Sequence, residues 1–593
     1  MTTREVTTDV LVVGAGAAGM YAAAEARRQG AQVILLDKSM VGRGGATIMA
    51  QMTVAAAVGH AEEDSWDLHY HDTIASGRGI SNEPLAALMC QDGPARILEC
   101  WDRGVNWATN GDRLDQVKAP GHSRERCCYV GALQTGSGVV RGLKKELRRQ
   151  EVESYDTTLV TELIRDDEGA VVGAAALELK SGEAIAFWAP AVILACGGLT
   201  EMYARNSASV NMTGDAYALG LAADAELVDM EMVQFFPIAN LAPRTIGLDP
   251  IMWDPFRYRL GGRLLNGDGE EFVERYAGVA DEGTYTATRD VVTYGILKEV
   301  EQGRGSPAGG AWLDFTDLTS EQIRNAFPAA FDRLLEQGID VSQRPVEVAP
   351  TAHYTIGGLR VDLAMRTNVP GLYAAGEAVG GQHGANRLSG NALTEAFVFG
   401  ARAGEAAGAQ VAADRGVGVT GSPGGAAAQR MQEALRLIES VRGRNRDSDV
   451  YLPALRSRLK RIMWGRVGPF RDDHGLRAAE AELAEVREDL ELRARVDARS
   501  VLNLEWQEWF ELRGMLDVAE AVRQAAIART ESRGAHQRDD HPAEDDARFL
   551  ANSVVTLGDD GVKVRFDELV QLSGQPSSWS PPTVGTSDRE VVT

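Results

Sequence analysis

Residues 8–13 (TDVLVV) form a continuous apolar, largely β-branched run that ends in glycine. Such a run, closed by a turn residue, predicts a strand buried on both faces, as in the interior of a parallel sheet. The alanine-rich segment 17–29 follows at helical spacing, and 32–37 (QVILLD) predicts a second strand, so the pattern is β-α-β. A further strand is predicted over 191–196 (AVILAC). Residues 42–60 are rich in Gly, Ala and Thr and nearly uncharged, which predicts packing against something other than solvent. From 246 to 348 the pattern becomes more charged, with a turn-rich stretch at Gln302–Gly310, and predicts an inserted lobe. Residues 349–405 return to Gly/Ala-rich strand-and-turn character, and 414–426 predict a linker. Leu/Ala/Arg/Glu periodicity from 427 to about 532 predicts helices. Beyond 546 lie a small strand-prone segment and a polar Ser/Pro tail.

Composition narrows the function classes. With 44% hydrophobic and 25% charged residues, the chain has the balance of a soluble globular protein. A formal charge of −24 without a dense basic stripe excludes nucleic acid as a partner. The five cysteines include no CxxC, which argues against a disulfide framework and against a built-in iron–sulfur or zinc site, so no metal is expected. Arg4 before the first apolar run imitates a secretion signal, but cleavage there would remove the glycine motif described next. That run meets a charge at Glu25, and no other reaches the ~18 apolar residues of a membrane span. The expectation is a cytoplasmic protein with no membrane span.

Gly14, Gly16 and Gly19 form G-x-G-x-x-G between strand and helix, with Ala15 inside the turn and Asp37 ending the second strand. The first glycine permits the turn, the second lets backbone N–H groups approach a pyrophosphate, and the third lets helix and strand pack closely. The helix N-terminus favours the phosphate charge, and Asp37 would accept hydrogen bonds from ribose hydroxyls. This is a dinucleotide site. The pattern does not choose between FAD and NAD.

Several further motifs resemble the succinate dehydrogenase/fumarate reductase flavoprotein family, which also includes L-aspartate oxidase. They are Gly42-Arg43-Gly44-Gly45-Ala46-Thr47 with Gln51, Thr213-Gly214-Asp215, and Pro350-Thr351-Ala352-His353-Tyr354-Thr355-Ile356-Gly357-Gly358. Gly371-Leu372-Tyr373-Ala374-Ala375-Gly376-Glu377, His383-Gly384-Ala385-Asn386-Arg387-Leu388-Ser389-Gly390-Asn391 and Glu531-Ser532-Arg533-Gly534-Ala535-His536 complete the set in family order. The resemblance implies an α/β chain: a Rossmann-like FAD-binding domain over 1–245 and 349–425, an inserted α+β capping domain over 246–348, and a C-terminal helical domain over 427–545. Residues 546–593 are then an extension, expected to be partly disordered. The implied cofactor contacts are Gly14, Ala15, Gly16, Gly19, Asp37, Lys38, Gly44, Gly45, Ala46, Thr47, Gln51, Asp215, Glu377, Asn391, Ala392 and Leu393. Where the respiratory members carry a flavin-linking histidine, this chain has Ala46, so FAD is expected to be non-covalent. The Gln-Gly-Gly after that loop is altered to Gln51-Met52-Thr53.

The family moves a hydride between flavin and substrate and a proton through an arginine. Arg289 matches that arginine, with Asp254 and Arg257 matching its relay partners; His353 and Arg387 match the residues that hold one substrate carboxylate. The receptor for a second carboxylate departs from the family. Its histidine is Phe236 in Met230-Glu231-Met232-Val233-Gln234-Phe235-Phe236-Pro237, and a neighbouring threonine is Trp253. An anion pressed against two aromatic rings would lose hydration without gaining donors. The expected substrate is therefore a small carboxylate whose far end is apolar, and not succinate. Three alternatives stay open: an aspartate-oxidase-like amino-acid oxidase, an adenylylsulfate-reductase-like enzyme whose rings stack on a nucleotide, and an electron-transfer flavoprotein subunit. An iron–sulfur partner is implied by the respiratory members, whereas the aspartate oxidases work alone.

Overall fold

The computed structural model describes residues 4–582 except 132, 247–250, 254–256, 258–259, 277–288, 415–423, 575 and 577–578. The first apolar run is the strand Val10–Val13, all four residues buried, at the centre of a five-stranded parallel sheet. Its neighbours are Ala191–Leu194 and Val33–Leu36, and the outer strands are Leu372–Ala374 and Glu153–Tyr155. This is the doubly covered arrangement that continuous apolar strands require. The helix Ala17–Arg28 packs against the helix Asn391–Asp414. A Cβ on Gly400 would lie 2.5 Å from the Ala18 carbonyl oxygen, and one on Gly404 2.2 Å from that of Ala22, so both glycines are required by backbone contact.

The described residues between 233 and 355 build a lobe inserted before the last strand of this sheet, Leu372–Ala374. Its antiparallel sheet runs in the order Val233–Ala242, Val346–Thr355, Ala311–Asp314, Arg263–Leu265. The strand Val346–Thr355 therefore spans the boundary expected at 348, and Val233–Ala242, its partner in the sheet, lies before the one expected at 245. The lobe has its own hydrophobic cluster, which includes Ile238, Trp253, Phe315 and Phe331.

The predicted helical region contains Gly425–Val441, Leu452–Arg466, Asp473–Glu488 and Leu504–Ala528. Their buried faces join the same hydrophobic cluster as the parallel sheet. The strand-prone segment after 546 forms the hairpin Asn552–Gly558 and Gly561–Asp567, which pairs with Leu227–Val228 and through it with Gly358–Leu359. The end of the tail, 583–593, lies outside the described residues. No helix among the described residues is long and apolar enough to cross a membrane.

Candidate active site

One cavity of about 220 Å³ is bordered both by the glycine motif and by His353 and Arg387. At its dinucleotide end the three glycines have three different causes. Gly14 has φ +102°, and a Cβ there would meet the Ala195 carbonyl oxygen at 2.4 Å; one on Gly19 would meet the Gly14 carbonyl oxygen at 1.8 Å. Gly16 caps the helix Ala17–Arg28 and lines the cavity; its Cβ would meet only Thr47 Oγ1, at 3.4 Å, so its missing side chain leaves the helix start open to the cavity. That opening is what a pyrophosphate needs. Asp37 Oδ2 accepts from the Ala15 N–H at 2.8 Å and Oδ1 from the Ser39 N–H at 2.8 Å, which fixes the acid at the cavity wall. The residues present thus fit a dinucleotide.

The flavin loop follows as a short helix, Gly45–Met49, and Thr47 Oγ1 accepts from the Ala17 N–H at 2.9 Å. Gly44, Gly45, Ala46, Thr47 and Gln51 all line the cavity, as do Asp215, Glu377, Ala392 and Leu393. Lys38 also lines it, tied to Asp215 and to Glu511, each at 2.9 Å. Burial by itself would push the Lys38 ammonium down, but the two carboxylates outweigh it and hold the charge on. Glu511 is buried too, yet Lys38 and Arg456 bring its carboxyl down to about 2. Glu511 belongs to the helix Leu504–Ala528, so the C-terminal helices complete the electrostatics of the cofactor end. Burial pushes Glu377 up to about 8, against the pull of the Thr355 N–H that donates to it at 2.9 Å. Asn391 differs from the rest: its side chain turns away from the cavity, with Oδ1 2.8 Å from His69 Nε2 and Nδ2 donating to Thr73 Oγ1 at 3.0 Å.

The other end is assembled by one irregular pair of strands. Val233–Ala242 and Val346–Thr355 pair Gln234 with Tyr354 but Phe235 with Ala352, which leaves His353 as the extra residue of a bulge. A bulge re-aims a side chain, and here it brings His353 to the cavity with its ring 5.4 Å from that of Phe236. A second irregularity follows Phe236, at Pro237 and Pro350, neither of which can donate to the ladder. His353 Nδ1 is 2.8 Å from Ser207 Oγ. Arg387 is buried, lines the cavity, and lies with its guanidinium over the Tyr354 ring at 4.3 Å. Gln234 Nε2 donates to the Arg387 carbonyl oxygen at 2.9 Å and so holds that loop to the strand.

Trp253 is not where the resemblance implied. It is fully buried in the lobe, its Nε1 donating to Asn240 Oδ1 at 3.2 Å and its ring 6.2 Å from Phe315. The neighbouring Met252 lines the cavity instead, its N–H donating to Gln51 Oε1 at 3.3 Å. Residues 251–253 run extended beside 238–240, where adjacent side chains point to opposite sides. A one-residue shift therefore exchanges an indole for a thioether. Of the expected proton-transfer set, Arg257 is buried, Arg289 opens the helix Arg289–Glu301, and Asp254 lies outside the described residues.

The Glu531–His536 motif lies in a buried ionic network and does not line the cavity. Arg529 Nε is 2.6 Å from Glu231 and its Nη1 3.0 Å from Glu531, while Arg471 reaches His536 Nδ1 at 2.6 Å. Glu231 also accepts from Ser553 Oγ at 2.6 Å. The network joins the strand that carries Phe236 to the C-terminal hairpin.

A glycine-opened helix and an acid at the end of the neighbouring strand, with Arg387 in the same cavity, define a dinucleotide-binding protein. Comparison sharpens the class. Residues 9–393 match the FAD binding domain model, and 456–581 the fumarate reductase flavoprotein C-terminal model. One of the subunits of the fumarate reductase (CoM/CoB) of Methanothermobacter marburgensis is 34% identical over 539 residues, which cover 90% of this chain and 94% of that protein. The L-aspartate oxidase of Streptomyces coelicolor is 31% identical over 563 residues, 93% of this chain and 92% of that one. Among solved structures, E. coli quinol fumarate reductase FrdA superposes with a TM-score of 0.87 at 27% identity, covering 98% of this chain and 99% of that one. Mycobacterium smegmatis Sdh1 gives 0.85 at 32%, covering 97% and 96%. The chain belongs to the succinate dehydrogenase/fumarate reductase flavoprotein family and is an FAD-dependent oxidoreductase.

Proposed function

We propose that this enzyme transfers a hydride between FAD and a carbon–carbon bond beside a single carboxylate, and that succinate and fumarate are poor ligands. The observation that carries the reading is Phe236, buried in the cavity wall with its ring against His353. Arg387 offers a planar fork and His353 a donor for one carboxylate. Phe236 and Met252 offer neither to a second, and an anion there would cost several kcal/mol of uncompensated desolvation. The far end of the substrate is apolar or aromatic in consequence.

FAD, when bound, supplies the hydride acceptor or donor, held non-covalently because Ala46 has no nucleophile. Arg289 moves the proton, with Asp254 and Arg257 as its relay. An arginine does this only where clustered charge and burial weaken its hold on the proton, and the burial of Arg257 supports such surroundings. An iron–sulfur subunit is the electron partner in this reading; the Methanothermobacter marburgensis relative is itself one subunit of its enzyme.

The test is an anaerobic screen of saturated and unsaturated acids for bleaching or recovery of the bound-flavin absorbance. Acids with one carboxylate and an apolar substituent are expected to react fastest. Comparable turnover with succinate or fumarate overturns the reading, and hydrogen peroxide release with L-aspartate in air would favour an oxidase. Arg289→Gln is expected to abolish turnover while flavin content is unchanged.

A further inference from the structure

Arg387 does not stand alone. Its guanidinium lies over the Tyr354 ring at 4.3 Å, and the Tyr354 hydroxyl donates to Glu395 Oε2. The same carboxylate oxygen lies 2.8 Å from His383 Nε2. Tyr354, His383 and Glu395 are all buried, and Glu395 is fixed in the first turns of the helix Asn391–Asp414.

We propose that Tyr354 and Glu395 are positioning residues for Arg387, acting through the aromatic ring; this rests on the proposed role of Arg387 as the carboxylate receptor. A carboxylate that accepts the phenol's hydrogen bond pushes electron density toward the ring, and the ring face then attracts a cation more strongly. Away from water that attraction is at its largest. The guanidinium plane is laid against a ring that is itself held at its hydroxyl, so the fork stays aimed into the cavity rather than rotating about its long side chain. Such pre-organisation raises affinity for a carboxylate in particular, because an uncharged group makes less use of the fork.

The experiment titrates cinnamate and its uncharged analogue cinnamamide into the FAD-loaded enzyme and reads the perturbation of flavin absorbance. Wild type is expected to prefer cinnamate. Tyr354→Phe, which keeps the ring, and Glu395→Gln, which keeps a hydrogen-bond acceptor, should each lower that preference by ~3–10-fold, with cinnamamide affinity unchanged. Tyr354→Leu should lower it further. Equal weakening of both ligands, or an unchanged preference, overturns the positioning role. Arg387→Ala separates the two claims. If it abolishes the preference while Tyr354→Phe and Glu395→Gln leave it intact, only the positioning role falls. If it preserves the preference, or if wild type has none, the receptor assignment fails and the positioning role with it.

Discussion

The two ends of the cavity are built in different ways. The dinucleotide end is a matter of backbone: Gly14, Gly19 and Asp37 lie within one β-α-β unit, and each is fixed by contact with a main-chain atom. The substrate end is a matter of side chains from separate segments: Phe236 on one strand, His353 on its partner's bulge, Met252 in the lobe and Arg387 in a loop before a helix. The backbone cradle tolerates little change at Gly14 and Gly19, where an added Cβ meets a main-chain atom. A side-chain wall can change its chemistry while the strands keep their pairing. In the proposed reading, the replacement of a family histidine by Phe236 is a change of the second kind.

The largest effect that would test this contrast is at the backbone end. Gly19→Val is expected to leave no flavin in the purified protein, since even a Cβ would lie 1.8 Å from the Gly14 carbonyl oxygen. Full flavin content in that variant would break the comparison outright. Next comes Glu511→Ala, which leaves the buried Lys38 with one carboxylate fewer and should cost about 3 kcal/mol in denaturant unfolding. The pH dependence has a definite sign. Glu511 sits at about 2 in the folded protein against an ordinary 4.5, so its contribution is complete above 4.5 and is lost as pH falls toward 2. Melting curves between those values should show a slope in wild type that is reduced in Glu511→Gln.

Effects at the substrate end are smaller and more selective. Arg387→Ala should weaken binding of a carboxylate by about 1.5–3 kcal/mol, or ~10–100-fold, with flavin content intact. Phe236→His restores a donor at the far end and should improve fumarate binding by ~10-fold, about 1.4 kcal/mol, while weakening binding of acids with an apolar tail. Flavin-perturbation titrations measure both, and no gain for fumarate in Phe236→His would show that the second receptor needs more than this one side chain.

The cofactor end was legible because its signals are local. A buried strand, a turn that demands glycine and a helix leave their marks within thirty residues, and the parallel sheet formed as the apolar runs predict. The substrate end was legible through resemblance alone, and incompletely. Trp253 and Met252 are neighbours, and which of them faces the cavity depends on how residues 251–253 lie against 238–240, a pairing with no local signature. Asn391 was expected at the cofactor and instead bonds His69 and Thr73, from a helix more than three hundred residues earlier. Glu511 carried no signal at all, because a glutamate in an amphipathic helix looks like any solvated charge until Lys38 is found beside it.

The amino-acid sequence by itself determined the dinucleotide fold and its glycine motif, because a turn at positive φ, a close backbone approach and an open helix start each call for the residue without a side chain. Only the tertiary structure decided which side chains meet in the cavity. A bulge at His353, the turn of one extended segment and the burial of Lys38 between two carboxylates are outcomes of long-range packing, where the position of one chain is set by the volume and charge of another.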